Sequence, residues 1–267
     1  MRECVRKLVI AVMVLIGLGV AADFGAAAAA EYQVAKQMRE ELGLAADPSV
    51  RINGFPFLSQ ALLGSYSAID MQAAGLTVGP LHDIAVEATL HDVQAPLAQV
   101  RSGDLRSVQV GEVAGRVRIS DRDIGRAIGI EDLQLQPASE EEIEKLLPAG
   151  SRPGESRADG REAVRMVATT DLAGDRTEII GIGLIELVGR RLRITTMDVR
   201  LSRDEVGEVN LPPQIRQLLI QALSREIEPG GLPFAVTPTR LWVEVGALVV
   251  EGTAAEVSIG QAGLGAG

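Results

Sequence analysis

Residues 82–93 read HDIAVEATLHDV and residues 67–79 read SAIDMQAAGLTVG. In the first stretch Ile84, Val86, Ala88 and Leu90 alternate with Asp83, Ala85, Glu87 and Thr89. That period of two is the mark of a strand with one buried face. In the second stretch Ile69, Met71 and Ala73 alternate until the phase shifts at Ala74 and Gly75, ahead of Leu76 and Val78. A glycine at a phase shift predicts a bulge that bends the strand. Residues 108–120 (VQVGEVAGRVRIS) repeat the pattern with glycines at 111 and 115. Farther on, 177–188 (TEIIGIGLIELV) and 191–201 (RLRITTMDVRL) flank Gly189 and Arg190 as a hairpin, and a last pair of strands covers 240–259.

Helical signals are fewer. Val34, Met38 and Leu42 recur four apart in 31–44 (EYQVAKQMREELGL), with Gly43 placed to close the helix. Ser120 is placed to cap a short turn with Asp123 three residues on, and Ser139 to Glu142 is a capping box that opens a short acidic helix ending near Pro148. After Asn210, Pro212 and Pro213, a helix over 211–227 aligns Leu211, Ile215, Leu218, Leu219, Ala222 and Leu223 on one face, and Pro229, Gly230 and Gly231 stop it. Long strands with few helices predict an α+β fold, a curved antiparallel sheet packed against one or two long helices. Polar, glycine-rich residues 149–162 read as a flexible insertion in one domain spanning 31–260, and 261–267 as a disordered tail.

Arg2, Arg6 and Lys7 precede an uncharged apolar run from Leu8 to Ala22, followed by small residues from Gly25 to Ala30. Basic residues ahead of such a run form an export signal. Fifteen residues is long for a cleaved signal and short for a span of about 20, so residues 1–30 read either as a signal peptide cut after Ala22 or Ala30, or as an anchor extended through Phe24 and the alanines. The anchor is preferred. Both readings put the domain on the extracytoplasmic, periplasmic face, anchored to the inner membrane or secreted.

The chain has 267 residues and a formal charge of -10, with three lysines and seven aromatic residues. It therefore lacks the basic surface and stacking rings that nucleic acid requires. Beyond residue 22 the balance is 23 basic against 35 acidic residues. Contact with anionic lipid must then be apolar rather than electrostatic. The one cysteine, Cys4, precedes the apolar run, so the domain has no disulfide, thiolate metal site or cysteine nucleophile.

Catalytic patterns are missing. No G-x-S-x-G occurs, and Gly64-Ser65-Tyr66-Ser67 lacks the second glycine. His82 and His91 fall at opposite ends of one expected strand, and Gly181-Ile182-Gly183 has no third glycine and sits mid-strand. The acidic pairs of 140–142 read as a solvated helix face. No catalytic residue, metal site or cofactor is expected.

Two words stand out, Gly54-Phe55-Pro56-Phe57 and Gly231-Leu232-Pro233-Phe234, which hold three of the four phenylalanines; Phe24 adjoins the membrane segment. Each precedes an alternating stretch, and Ile69, Met71, Ala73, Gly75, Leu76 and Val78 align roughly with Leu241, Val243, Val245, Ala247, Leu248 and Val250. The rings either plug the ends of the core or line the mouth of an apolar groove, where proline keeps their direction. A diacyl lipid needs mainly such a trough, since each methylene moved out of water contributes about 0.8 kcal/mol. Candidate lipid contacts are Phe55, Pro56, Phe57, Leu58, Ile69, Met71, Leu218, Leu219, Leu232, Pro233, Phe234 and Trp242, with Arg51 and Arg240 for the headgroup.

The Ala22-Asp23 exit from the apolar run, the helix from Glu31, the phrase VRINGFPFLSQ at 50–60 and the closing Leu232-Pro233-Phe234 resemble the LmeA-type phospholipid-binding proteins of actinobacterial cell envelopes. The resemblance implies an extracytoplasmic phospholipid binder without known catalysis, linked to lipoglycan maturation, with a fold similar to tubular lipid-binding (TULIP-like) domains. The expected partners are a phospholipid, the membrane through the N-terminal segment and an envelope enzyme that receives the lipid; the alternative is an envelope scaffold that binds a protein such as a glycosyltransferase and holds no lipid cargo.

Overall fold

The computed structural model describes residues 2–96, 108–130, 132–146, 160–172, 175–188, 191–203, 207–209, 211–227 and 237–258. The class is the expected one, α+β, with a long N-terminal helix and two open antiparallel sheets. The helices are α1 (Arg2–Leu42), α2 (Phe57–Leu63), α3 (Asp121–Ile128), α4 (Glu140–Leu146) and α5 (Pro213–Leu223). The strands are β1 (Ser49–Asn53), β2 (Ser65–Val78), β3 (Leu81–Gln94), β4 (Gln109–Ser120), β5 (Gln134–Pro137), β6 (Arg161–Leu172), β7 (Asp175–Val188), β8 (Arg191–Arg203), β9 (Gly207–Val209), β10 (Arg225–Ile227), β11 (Thr237–Glu244) and β12 (Ala247–Ser258). One sheet runs β1-β2-β3-β4-β12-β11 and the other β10-β8-β7-β6-β5, with β9 on β8.

Contacts divide the chain into two compact units, Met1–Ala73 with Glu87–Val113 and Ala254–Gly267, and Ala74–Val86 with Ala114–Thr253. The core of the first holds Phe57, Ala61, Tyr66, Leu90, Val93, Val110 and Val113. The main core of the second holds Leu81, Ile84, Ile124, Leu135, Met166, Ile185, Ile194 and Leu248.

Local signals set the element ends. Ser120 accepts from the Asp123 amide, and Ser139 and Glu142 exchange reciprocal bonds at 2.9 and 3.3 Å, as a capping box should. Gly75 takes φ +74 within β2, where the apolar phase shifts. In β3 the alternation of Ile84 and Leu90 gives way at Asp92, whose φ of 53 turns Val93 inward. Gly111 has ordinary backbone; a Cβ there would sit 3.0 Å from the Asp92 Cβ, so it serves close approach and not a bend. Val188 pairs with Arg191, which sets the expected β7–β8 hairpin.

Several expectations need correction. The helix expected over 31–44 is the end of one helix that begins at Arg2. The helix expected over 211–227 stops at Leu223, because Arg225–Ile227 pairs with β8 as β10. Its apolar face divides: Leu219, Ile220 and Leu223 pack with Val199 and Leu201, while Ile215, Leu218 and Ala222 face outward. Glu142 is buried and paired with Arg165 at 2.8 Å, so 140–142 is not a uniformly solvated face. The proposed repeat has no structural counterpart, since 65–78 is one strand while 241–250 turns at Gly246 between β11 and β12. Of the insertion, Arg161 and Glu162 already belong to β6; residues 147–159 and the tail from 259 lie outside the described residues, as do Gly189, Arg190, Asn210 and 228–236.

Candidate functional site

In the first unit the candidate residues gather around α2. After Arg51 and Ile52 in β1 the chain turns at Gly54, whose φ is +108; a Cβ there would meet Gln60 Nε2 at 2.7 Å. Glycine is needed on both counts. The Phe55–Pro56 peptide is cis, and α2 begins at Phe57. Pro56, the N-cap residue, offers no side-chain acceptor to the open amides of the first turn. The acceptor comes from α1: the Phe57 and Leu58 amides each donate to an Asp23 carboxylate oxygen at 2.8 Å.

Asp23 is therefore a cap supplied by a helix 34 residues earlier, and it is 4% exposed. Ala26, Ala27 and Ala30 lie on the same stripe of α1 and pack against the first core, while Glu31 accepts from the Ile52 amide at 2.8 Å. Of the alanines that read as a cleavage region, Ala26, Ala27 and Ala30 pack against the folded unit, while Ala22, Ala28 and Ala29 are exposed. Small side chains there let α2 come close enough for the carboxylate to reach it.

The rings of the Phe-Pro-Phe word part company. Phe57 is buried, 6.4 Å from the Tyr66 ring, and Ile52, Ile69 and Met71 pack half-buried against its cluster. Phe55 is 62% exposed and stacks on Phe24 at 6.0 Å. Pro56 and Leu58 are exposed, and so are Leu62 and Leu63, at 80% and 79%. Arg51 is exposed, opposite Asp70 in the β1–β2 register.

Asp70 accepts from Asn53 Nδ2 at 2.7 Å and from Thr89 Oγ1 at 2.9 Å. Those two bonds, Asn53 first, hold its carboxyl below the ordinary value, with Arg51 adding to the effect. A depressed folded pKa gives stability that is complete above the unfolded value of about 3.9 and is lost as pH falls through the folded one. Wild type is thus expected to exceed Asp70→Asn in stability at neutral pH, and the gap should close in acid. Urea unfolding of both from about pH 6 to pH 3 checks this; a gap independent of pH would remove Asp70 from the account.

In the second unit, Trp242 is half-buried. Its indole N–H donates to Glu244 at 3.1 Å and Arg116 lies 5.5 Å over its ring. Arg240 pairs with Glu251 at 3.0 Å, and Glu251 also holds Arg116 at 2.6 Å. A headgroup phosphate at Arg240 would share the guanidinium with Glu251. Leu219 packs half-buried against Leu211 and Leu223, and Leu218 is exposed. Leu232, Pro233 and Phe234 lie outside the described residues. His82 and His91 are both exposed on β3.

The structure brings Phe57, Ile69 and Met71 together in one cluster and joins Trp242 to Arg240 through Arg116 and Glu251. Sequence reading used Asp23 and Phe24 to mark the exit of the apolar run and did not place them at the site. The signal was there: Asp23 is the only charged residue between Lys7 and Glu31. A lone carboxylate in an apolar helix requires a partner.

The fold is thus α+β with an apolar N-terminal helix, and exposed phenylalanine rings lie beside that helix in the first unit. The model of the LmeA-like phospholipid-binding family matches residues 21–253, and the chain belongs to that family. No curated protein and no solved structure matches it.

Proposed function

We propose that this protein works on the extracytoplasmic side of the cell envelope, held at the membrane by its N-terminal segment. There it keeps a phospholipid in an apolar groove and carries it, or presents it, to enzymes of lipid or lipoglycan metabolism. The family match over 21–253 carries this reading, because it spans nearly all of the chain after the apolar run. The helix α1 supports the anchor: it is long and apolar enough to cross a membrane, with Arg2, Arg6 and Lys7 at its start.

On this reading the lipid contacts in the first unit are Phe55, Pro56, Phe57, Leu58, Ile69 and Met71, with Arg51 near the headgroup. Those in the second are Leu218, Leu219, Leu232, Pro233, Phe234 and Trp242, with Arg240. Phe57 contributes from the core side, since it is buried, and Phe55 from the surface. No residue is assigned a catalytic role, and no cofactor is invoked.

Native mass spectrometry of the full chain, released from detergent micelles in the gas phase, tests the reading. One phospholipid per chain is expected. Protein without an adduct that also leaves fluorescent phospholipid unbound would overturn it and favour a scaffold for an envelope enzyme such as a glycosyltransferase.

A further inference from the structure

Residues 53–69, NGFPFLSQALLGSYSAI, contain no charged side chain in a chain that is 23% charged. Within them α2 buries Phe57 and Ala61 and turns Leu58 and Leu62 outward, with the exposed Phe55 beside its start and Leu63 at its end. Phe55 stacks on Phe24, itself 63% exposed on α1. Among the described residues, these side chains form an apolar, neutral face that nothing covers.

The position of this face along α1 says what covers it. A hydrocarbon layer of about 30 Å takes about 20 helical residues, which counted from Leu8 carries the helix to Ala27. Asp23 therefore lies within the last turn or so of the span, and its two bonds to the Phe57 and Leu58 amides hold the start of α2 at that level. We infer that α2, with Phe24 and Phe55, is a membrane foot: Phe55, Leu58 and Leu62 seat in the bilayer surface beside the point where α1 leaves it. The occupant is the phospholipid bilayer. An acidic protein could not be held there by anionic lipid, and this face has no charge to desolvate. Proline at the corner and the Asp23 cap keep the foot ordered before it meets lipid, so little entropy is lost on contact. The foot does not require a cargo lipid, although it would bring the first unit against the membrane from which cargo comes.

The test uses the full chain with Cys4→Ser, carrying an environment-sensitive fluorophore at Leu62→Cys, in vesicles of phosphatidylcholine and phosphatidylglycerol. Leu62 is so exposed that the label leaves the core intact. The control is Glu40→Cys, exposed on α1 and 16 residues beyond Phe24, about 24 Å along the axis. The label at 62 is expected to shift to the blue and lose most of its emission to lipid spin-labelled high on the acyl chain, while the label at 40 keeps its aqueous spectrum. Aqueous emission at 62 overturns the foot. So does a blue shift without lipid quenching, which would mean that protein covers the face, or equal quenching at 40, which would mean that all of α1 lies in lipid. Cargo is measured separately on the same sample by mass spectrometry, so an empty protein with a quenched label rejects the cargo and keeps the foot.

Discussion

Asp23→Ala is expected to cost about 3 kcal/mol, because bonds to a charged acceptor contribute about 1.5–3 kcal/mol each and two amides lose theirs at once. For a chain of this size that corresponds to a fall in Tm of roughly 6–12 °C. Among the described residues Asp23 is the acceptor for the Phe57 and Leu58 amides, and Pro56 brings none of its own. Asp23→Asn should fall between, as one amide oxygen can still accept while the NH2 group faces the second donor. Thermal unfolding of the full chain together with hydrogen exchange at α2 checks this. An unchanged Tm with the α2 amides still protected would show that the cap is dispensable. The same comparison tests the view that α1 is part of the folded unit, because removal of residues up to Ala30 takes Asp23 with it, along with the packed alanines.

The second large effect is expected at Gly183. The β7–β8 register slips between Ile182 and Gly183, leaving Met197 as the extra residue on β8. A Cβ at Gly183 would run into the Thr195 carbonyl oxygen and come within 2.8 Å of the Thr196 Cα. Both are backbone atoms, which cannot swing aside as a side-chain tip can. Gly183→Ala should therefore cost about 3 kcal/mol or more, through separation of two strands in the middle of their sheet. Gly181→Ala is the contrast: its Cβ would meet the tips of Leu223 at 2.9 Å and Met166 at 3.4 Å, both able to rotate. It should lose less than about 1.5 kcal/mol. Chemical denaturation of the pair decides, and equal losses would remove the bulge as the reason for glycine at 183.

These two residues also show where sequence reading stopped. Gly181-Ile182-Gly183 was legible as a mid-strand pair with no phosphate-binding role, yet nothing in the string tells which glycine faces backbone and which faces a leucine. Asp23 was legible as an isolated charge at the exit of an apolar run, but its partners are amides, which carry no residue identity for a motif to record. The Phe-Pro-Phe word was legible as a corner. That Phe57 enters the core while Phe55 stays on the surface was not.

By itself the sequence determined what short-range physics controls. Period-two alternation gave most of the strands, the serine caps at 120 and 139 gave the starts of two helices, and the basic residues before an apolar run marked the N-terminal segment. Those signals act within about four residues, so they survive in one dimension. The tertiary structure alone decided that residues 31–42 continue the apolar helix, that α5 stops at Leu223 so that β10 can pair with β8, and that α2 is capped from 34 residues away. In each case a contact distant in the chain outweighed the local preference, because burying an unpaired amide or stranding an apolar face costs more than a helix propensity can return.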